Sequence, residues 1–173
     1  MKEAGERVVI QSPYVVLNSY MCQELTMLKE TVPDVKILLN SVENGDNFVA
    51  SSDYLRNKDR ILDTGIPLYE YDGGISNHAK SILIDSDLSV IGSYNLDLRS
   101  SYLDTELMLV VESRELNREL EGYMKEMETD SRRVLPDGNY EVPEHITVEE
   151  VPYWKRAAWG VVGFLLQPFR MLI

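Results

Sequence analysis

Between His78 and Asn95 the chain carries five side chains suited to phosphoryl chemistry: His78, Lys80, Asp85, Ser93 and Asn95. The string reads His78-Ala-Lys80, four residues, Asp85, six residues, then Gly92-Ser93-Tyr94-Asn95. Opening a phosphodiester takes a nucleophile, a proton donor for the leaving oxygen, and positive or hydrogen-bonding groups for the non-bridging oxygens. An imidazole can fill either of the first two roles near neutral pH. Lysine, serine and asparagine supply the third. Each residue alone has a plainer reading: a core histidine, a surface lysine, a turn at Gly92–Asn95. Their joint spacing is what points to a site. No Asp/Glu/His cluster with metal-ligand spacing surrounds the string, so no metal or other cofactor is expected.

These side chains need a scaffold. A strand presents alternate residues on one face, so a strand over His78–Ile84 points His78 and Lys80 the same way. Asp85 has the opposite parity and sits beside the turn, a place for a structural carboxylate. Ser86-Asp87 reads as a tight hairpin turn into a second strand, Leu88–Ser93. The hairpin then gathers His78, Lys80, Ser93 and Asn95 over one spot. Upstream, Arg7–Gln11, Val35–Leu39 and Ile66–Tyr71 read as strands. Between them lie a helix capped by Asn18, and another from about Ser52 to Thr64 that ends at Gly65. This alternation predicts α/β layers with parallel pairings. Glu106–Val111 is a further strand, and Ser113 caps a charged helix with Leu116, Leu120, Tyr123 and Met127 on one stripe. Arg132–Val148 reads as irregular surface chain.

The 173 residues suffice for one compact domain with a real core. A net charge of −12, from 29 acids against 17 Lys plus Arg, makes nucleic acid an unlikely partner in the absence of a locally basic cleft. The single cysteine, Cys22, cannot form an intrachain disulfide, which fits a reducing compartment. No signal-peptide pattern precedes Arg7–Gln11. The last stretch, Val151–Ile173, contains Lys155, Arg156 and Arg170 and no acid.

The string resembles the HKD motif of the phospholipase D superfamily, HxKxxxxDxxxxxxGSxN, at every fixed position. Six positions at about one chance in twenty each put coincidence at roughly one in a million or below. The stretch Gly92-Ser93-Tyr94-Asn95-Leu-Asp-Leu-Arg99-Ser100, followed by Glu106, is similar to the second motif of bacterial cardiolipin synthases. Ser12-Pro-Tyr14 and Leu39-Asn-Ser41 resemble the start of that family's second half. Roughly residues 8–112 are covered. Asn77, where an apolar residue is usual, and Asp104, where asparagine is usual, depart from the pattern.

The resemblance implies a phospholipase D-like fold in one repeat: α/β, with a mixed, largely parallel sheet flanked by helices on both faces. It divides the chain into residues 1–135, the domain with the motif, and 136–173, an extended segment and apolar C-terminal helix. It implies a phosphohistidine mechanism in which one histidine attacks phosphorus and a second, from another motif, protonates the leaving alcohol. Two-motif members usually give the nucleophile to the first motif, which favours His78 as acid/base. Lys80, Ser93 and Asn95 would hold phosphate, Asp85 would be structural, and Glu106 would orient a catalytic histidine. The chain has one motif, because His145 is followed by Thr147 where lysine is required. Its expected partners are therefore a phospholipid and either a missing N-terminal HKD half, the favoured reading, or a second copy of itself. The expected location is cytoplasmic, peripheral on the inner face of a bacterial membrane, with residues 154–173 touching lipid through Lys155, Arg156 and Arg170 or docking on the missing half. A homodimeric nuclease and a non-catalytic binding module are the alternatives.

Overall fold

The computed structural model describes every residue except Lys2 and Glu149. Its frame is one sheet of eight strands: β1 (Arg7–Gln11), β2 (Asp34–Asn40), β3 (Leu68–Tyr71), β4 (Ser81–Ile84), β5 (Leu88–Gly92), β6 (Met108–Glu112), β7 (Ser131–Val134) and β8 (Tyr140–Glu141). Their order across the sheet is β6-β5-β4-β1-β2-β3-β7-β8. The helices are α1 (Ser19–Thr31), α2 (Phe48–Leu62), α3 (Leu98–Tyr102), α4 (Arg114–Thr129) and α5 (Tyr153–Leu165), followed by a 3₁₀ segment, Gln167–Leu172.

The mixed α/β architecture agrees with the expectation, and the pairing pattern refines it. β1–β2 and β2–β3 are parallel, joined through α1 and α2, whereas the other neighbours pair antiparallel. The sheet is thus parallel at its centre and antiparallel on both flanks, rather than largely parallel. The β4–β5 and β7–β8 links are short loops, which can only return antiparallel, whereas β6 reaches β7 through α4.

Alternation along the central strands sends alternate residues to two cores. Val8, Ile10, Val35, Ile37 and Leu39 pack with Leu25 and Leu28 of α1 and Tyr54 and Ile61 of α2. Val9 and Leu38 face the other way, against Met124 and Met127 of α4. Side-chain caps fix the helix starts: Asn18 accepts from the Met21 N–H, Asn47 from Val49 and Ala50, and Ser113 from Leu116. The Asn47 cap starts α2 four residues ahead of the Ser52 read from sequence.

Arg132–Val148 is not wholly irregular, since β7 and β8 fall within or beside it. Arg132 is buried, its guanidinium bound by Glu70 at 2.9 Å and by Glu43, and burial of the paired charge admits the strand to the sheet.

Candidate active site

The loop between β3 and β4 is held from β2. Asn40, buried at the end of β2, accepts the Asn77 N–H at 2.9 Å and donates to the Asn77 carbonyl at 2.9 Å and the Pro13 carbonyl at 3.3 Å. The Asn77 side chain in turn accepts the Ala79 N–H at 3.0 Å. These bonds occupy backbone groups that a longer strand would use, so β4 begins at Ser81 and His78 and Lys80 precede it. A loop conformation, not strand alternation, sets the two side chains.

His78 is exposed, and Lys80 is buried. Lys80 Nζ lies 2.6 Å from His78 Nδ1 and 2.7 Å from the His78 carbonyl oxygen. On the other side of the ring, Tyr14 Oη lies 2.9 Å from His78 Nε2 and donates to Asp46 at 3.2 Å. Donors and acceptors then fall in one order: Lys80 donates to Nδ1, Nε2 carries the ring proton toward Tyr14, and Tyr14 donates to Asp46. Burial, with Asp46 close by, pushes the Tyr14 phenol up to about 12, so it remains a phenol at neutral pH. Burial also lowers the Lys80 ammonium below its ordinary value, while Asp46, Glu106 and Asp97 oppose that shift.

A second cluster adjoins this one. The Gly92 N–H donates to the Lys80 carbonyl at 3.1 Å, which places the Gly92-Ser93 corner beside Lys80. Gly92 is required by close approach, because a Cβ there would sit 2.0 Å from the Leu107 carbonyl oxygen. Ser93 Oγ bonds Glu106, whose other oxygen takes the Ser100 hydroxyl at 2.6 Å. Those two hydroxyls hold the Glu106 carboxyl below its ordinary range. Asn95 donates to Ser100 Oγ from its backbone at 3.2 Å, and its Oδ1 is buried with no hydrogen-bond partner among the described residues. Glu106 therefore turns its oxygens to Ser93 and Ser100, not to His78, and the orienting contact on the histidine comes from Tyr14.

Asp85 stands at the far end of β4. Its carboxylate accepts the backbone N–H groups of Gly5, Glu6 and Arg7 at 3.1, 2.8 and 3.0 Å. The turn spans Asp85–Asp87, and Asp85 takes a left-handed φ of 49°. Its role in this geometry is to fasten the start of β1 to the β4–β5 turn. His145 is exposed and bonds Asp130 at 3.1 Å.

Residues 1–128 match the family described as cardiolipin synthase, PLD-like domain. The chain belongs to that family. It is 42% identical over 105 residues to cardiolipin synthase A of Buchnera aphidicola subsp. Schizaphis graminum, covering 61% of this chain and 20% of that protein. It thus spans about a fifth of the length of this relative. Among solved structures, the phosphatidylserine synthase of Haemophilus influenzae Rd KW20 superposes with a TM-score of 0.71 at 18% identity, over 99% of this chain and 42% of that one. Nuc from Salmonella typhimurium, a phospholipase D family member, superposes with a TM-score of 0.62 at 21% identity, over 76% of this chain and 84% of that one. These two likenesses concern the fold.

Within this family frame the HKD residues divide by place. His78, Lys80, Ser93 and Asn95 lie at one end of the β4–β5 hairpin, and Asp85 lies at the other. Tyr14, Asp46, Asn40 and Ser100 complete the cluster. Tyr14, Asn40 and Ser100 carried a signal in the sequence, through the Ser12-Pro-Tyr14, Leu39-Asn-Ser41 and Gly92–Ser100 stretches, and none of these says what its residues touch.

Proposed function

We propose that this chain supplies one half of a phosphodiester-transfer site that moves phosphatidyl groups between alcohols on phospholipids. The observation that carries the reading is the exposed His78 imidazole clamped between the Lys80 ammonium and the Tyr14 hydroxyl. A ring fixed at both nitrogens is pre-oriented for proton transfer, and Lys80 sits ready to neutralise a phosphate oxygen. Once a phosphate draws the Lys80 ammonium off Nδ1 and that nitrogen takes up a proton, the imidazolium of His78 suits the general acid. A histidine from a second HKD motif attacks phosphorus, the phosphorus–oxygen bond to the leaving alcohol breaks, and His78 gives that alcohol its proton. The neutral His78 then takes a proton from the acceptor hydroxyl, whose oxygen attacks phosphorus and frees the other histidine.

The open flank of the site supports completion by a second half. β6 is an edge strand, with Leu107, Leu109 and Val110 60–80% exposed. Leu109 and Val110 are consecutive and point to opposite faces, so both faces of the edge are bare beside Glu106. Two similar folds frame the choices. In one, the likeness fills 42% of a longer chain, and in the other 84% of a chain near this length. The relatives named cardiolipin synthase A direct the substrate reading to phospholipid, and peripheral placement at the inner face of a bacterial membrane goes with it. The chain divides in use as residues 1–135, which bear the motif, and 136–173, which end it. Phosphatidyl transfer from phosphatidylglycerol by the assembled site, lost in His78→Ala, is the test.

A further inference from the structure

Helix α5 is turned inside out. Its small and polar positions face the protein: a Cβ on Gly163 would meet the Ser52 carbonyl of α2 at 2.7 Å. Just beyond, Gln167 bonds Asp53 at 3.3 Å. Arg170, which the sequence suggested for lipid headgroups, instead clamps Asp53 at 2.6 and 2.9 Å and donates to the Leu17 carbonyl at 2.8 Å. Apart from Trp159, which is buried, the bulk is outside. Tyr153, Trp154, Val161, Phe164 and Leu165 are 59–86% exposed. At 100° per residue these five and Ala157 fill one arc of about 120° that contains no charged or polar-headed residue except the Tyr153 hydroxyl. Phe169 and Leu172 extend the apolar surface past the helix.

We infer that this outward face is a bilayer-docking surface, seated at the headgroup–acyl boundary of an anionic membrane. Charge selects lipid over a second acidic protein surface. Residues 151–173 carry three cations and no acid, leaving 14 Lys plus Arg against 29 acids, or −15, on the rest of the chain. Arg156 borders the apolar arc and Arg56 stacks on Phe164 at 5.3 Å, where headgroup phosphates would meet them, while Lys155 is turned onto the Trp159 ring at 4.9 Å; a second copy would bring its own −15 toward the first. Aromatic side chains with one polar end, Tyr153 and Trp154, stand at the start of the face, as an interfacial segment requires. No helix among the described residues is long and apolar enough to cross a membrane, so the segment lies on the surface.

The position of this face relative to the site gives it a use. Ile173 packs with Val16 and Leu98, and its carbonyl accepts the Arg99 N–H at 2.9 Å. Arg99 belongs to α3, the helix whose Ser100 holds Asn95 and Glu106. Docking through α5 therefore holds the loop bearing Asn95 near the bilayer. This use rests on the reading of the site as one that handles phospholipid; the docking itself does not.

Cosedimentation of the chain with vesicles of phosphatidylglycerol plus phosphatidylcholine, and of phosphatidylcholine alone, tests it. The wild type is expected to bind the anionic vesicles, with Trp154 emission moving to the blue and quenched by brominated acyl chains. Trp159, buried against Phe48, reports that the fold is intact. Val161→Asp with Phe164→Asp should cut binding roughly tenfold or more, and Arg156→Glu should weaken anionic binding alone. Failure of the wild type to bind, or undiminished binding by the double variant, overturns the inference. So does a double variant that dissociates a dimer and leaves vesicle binding unchanged, which would make the face a protein interface. His78→Ala should bind vesicles as the wild type does; lost transfer with intact binding counts against the proposed reaction and not against docking.

Discussion

Tyr14 Oη lies 2.9 Å from His78 Nε2, across 64 positions of sequence, and donates a hydrogen bond to Asp46 at 3.2 Å. The phenol thus holds the His78 imidazole from the side opposite Lys80. Tyr14→Phe removes that bond while keeping the ring. A net hydrogen bond of about 1 kcal/mol corresponds to roughly a fivefold loss in kcat for the assembled site. The signature of a positioning role is a loss in kcat with KM for phospholipid little changed; a loss confined to KM would place Tyr14 in substrate binding.

The two histidines should behave oppositely. His78→Ala is expected to remove turnover by about 10²–10⁴-fold or more, the range general acid–base help supplies. His145, exposed and paired with Asp130, should tolerate alanine with activity near wild type. Equal losses from both substitutions in the same assay contradict the assignment of His78.

Asp85 ties the start of β1 to the β4–β5 turn, so its loss should appear in stability. Three backbone N–H groups lower its carboxyl below the ordinary 3.8. A carboxylate with a depressed folded value stabilises the fold above its unfolded value and loses that contribution as pH falls through the folded one. Asp85→Ala should lower stability by about 1–2 kcal/mol at neutral pH, since solvent reaches the group, and the gap should close in acid. Glu121, held down to about 2 by Arg7 and Lys125, likewise contributes above its unfolded value and loses that contribution as pH falls toward 2. Denaturant melts at pH 7 and pH 3 measure both. A gap that widens in acid would mean that Asp85 is not held as a carboxylate.

Much of this was legible in the sequence, for local reasons. Asn18 and Ser113 cap helices because their side chains reach backbone two or three residues on, and the Val8–Ile10 run is buried wherever it is placed. The errors came from distant partners. β7 hid behind Arg132 because nothing in Ser131–Val134 announces that Glu70 and Glu43 neutralise it. The true start of β4 was hidden because Asn40, 37 positions earlier, takes the backbone of Asn77. Glu106 could be matched to a motif position, but its hydroxyl partners depend on how α3 folds back. The same limit applied to Arg170, whose charge suggested headgroups until Asp53 was seen beside it.

The reaction should proceed without a divalent ion. In the proposed reaction Lys80, 2.6 Å from His78 Nδ1, would neutralise phosphate charge, and His78 would supply the proton transfer that a metal-bound water otherwise supplies. EDTA is expected to leave the rate of the assembled site within about twofold, a change too small to count as loss of a metal's several kcal/mol. Activity removed by EDTA and restored by added ion, with the fold unchanged by circular dichroism, contradicts this.

In the proposed function one HKD motif is half a site. One histidine cannot both attack phosphorus and protonate the leaving alcohol on its opposite side, and the missing group is worth about 10²–10⁴-fold. The deciding measurement is specific activity against phosphatidylglycerol together with mass in solution, for the chain alone and for the chain assembled with a second HKD motif. The monomer should be essentially inactive, with activity appearing when an N-terminal HKD half is added or when two copies face each other as a dimer. Full activity in a proven monomer would contradict the account.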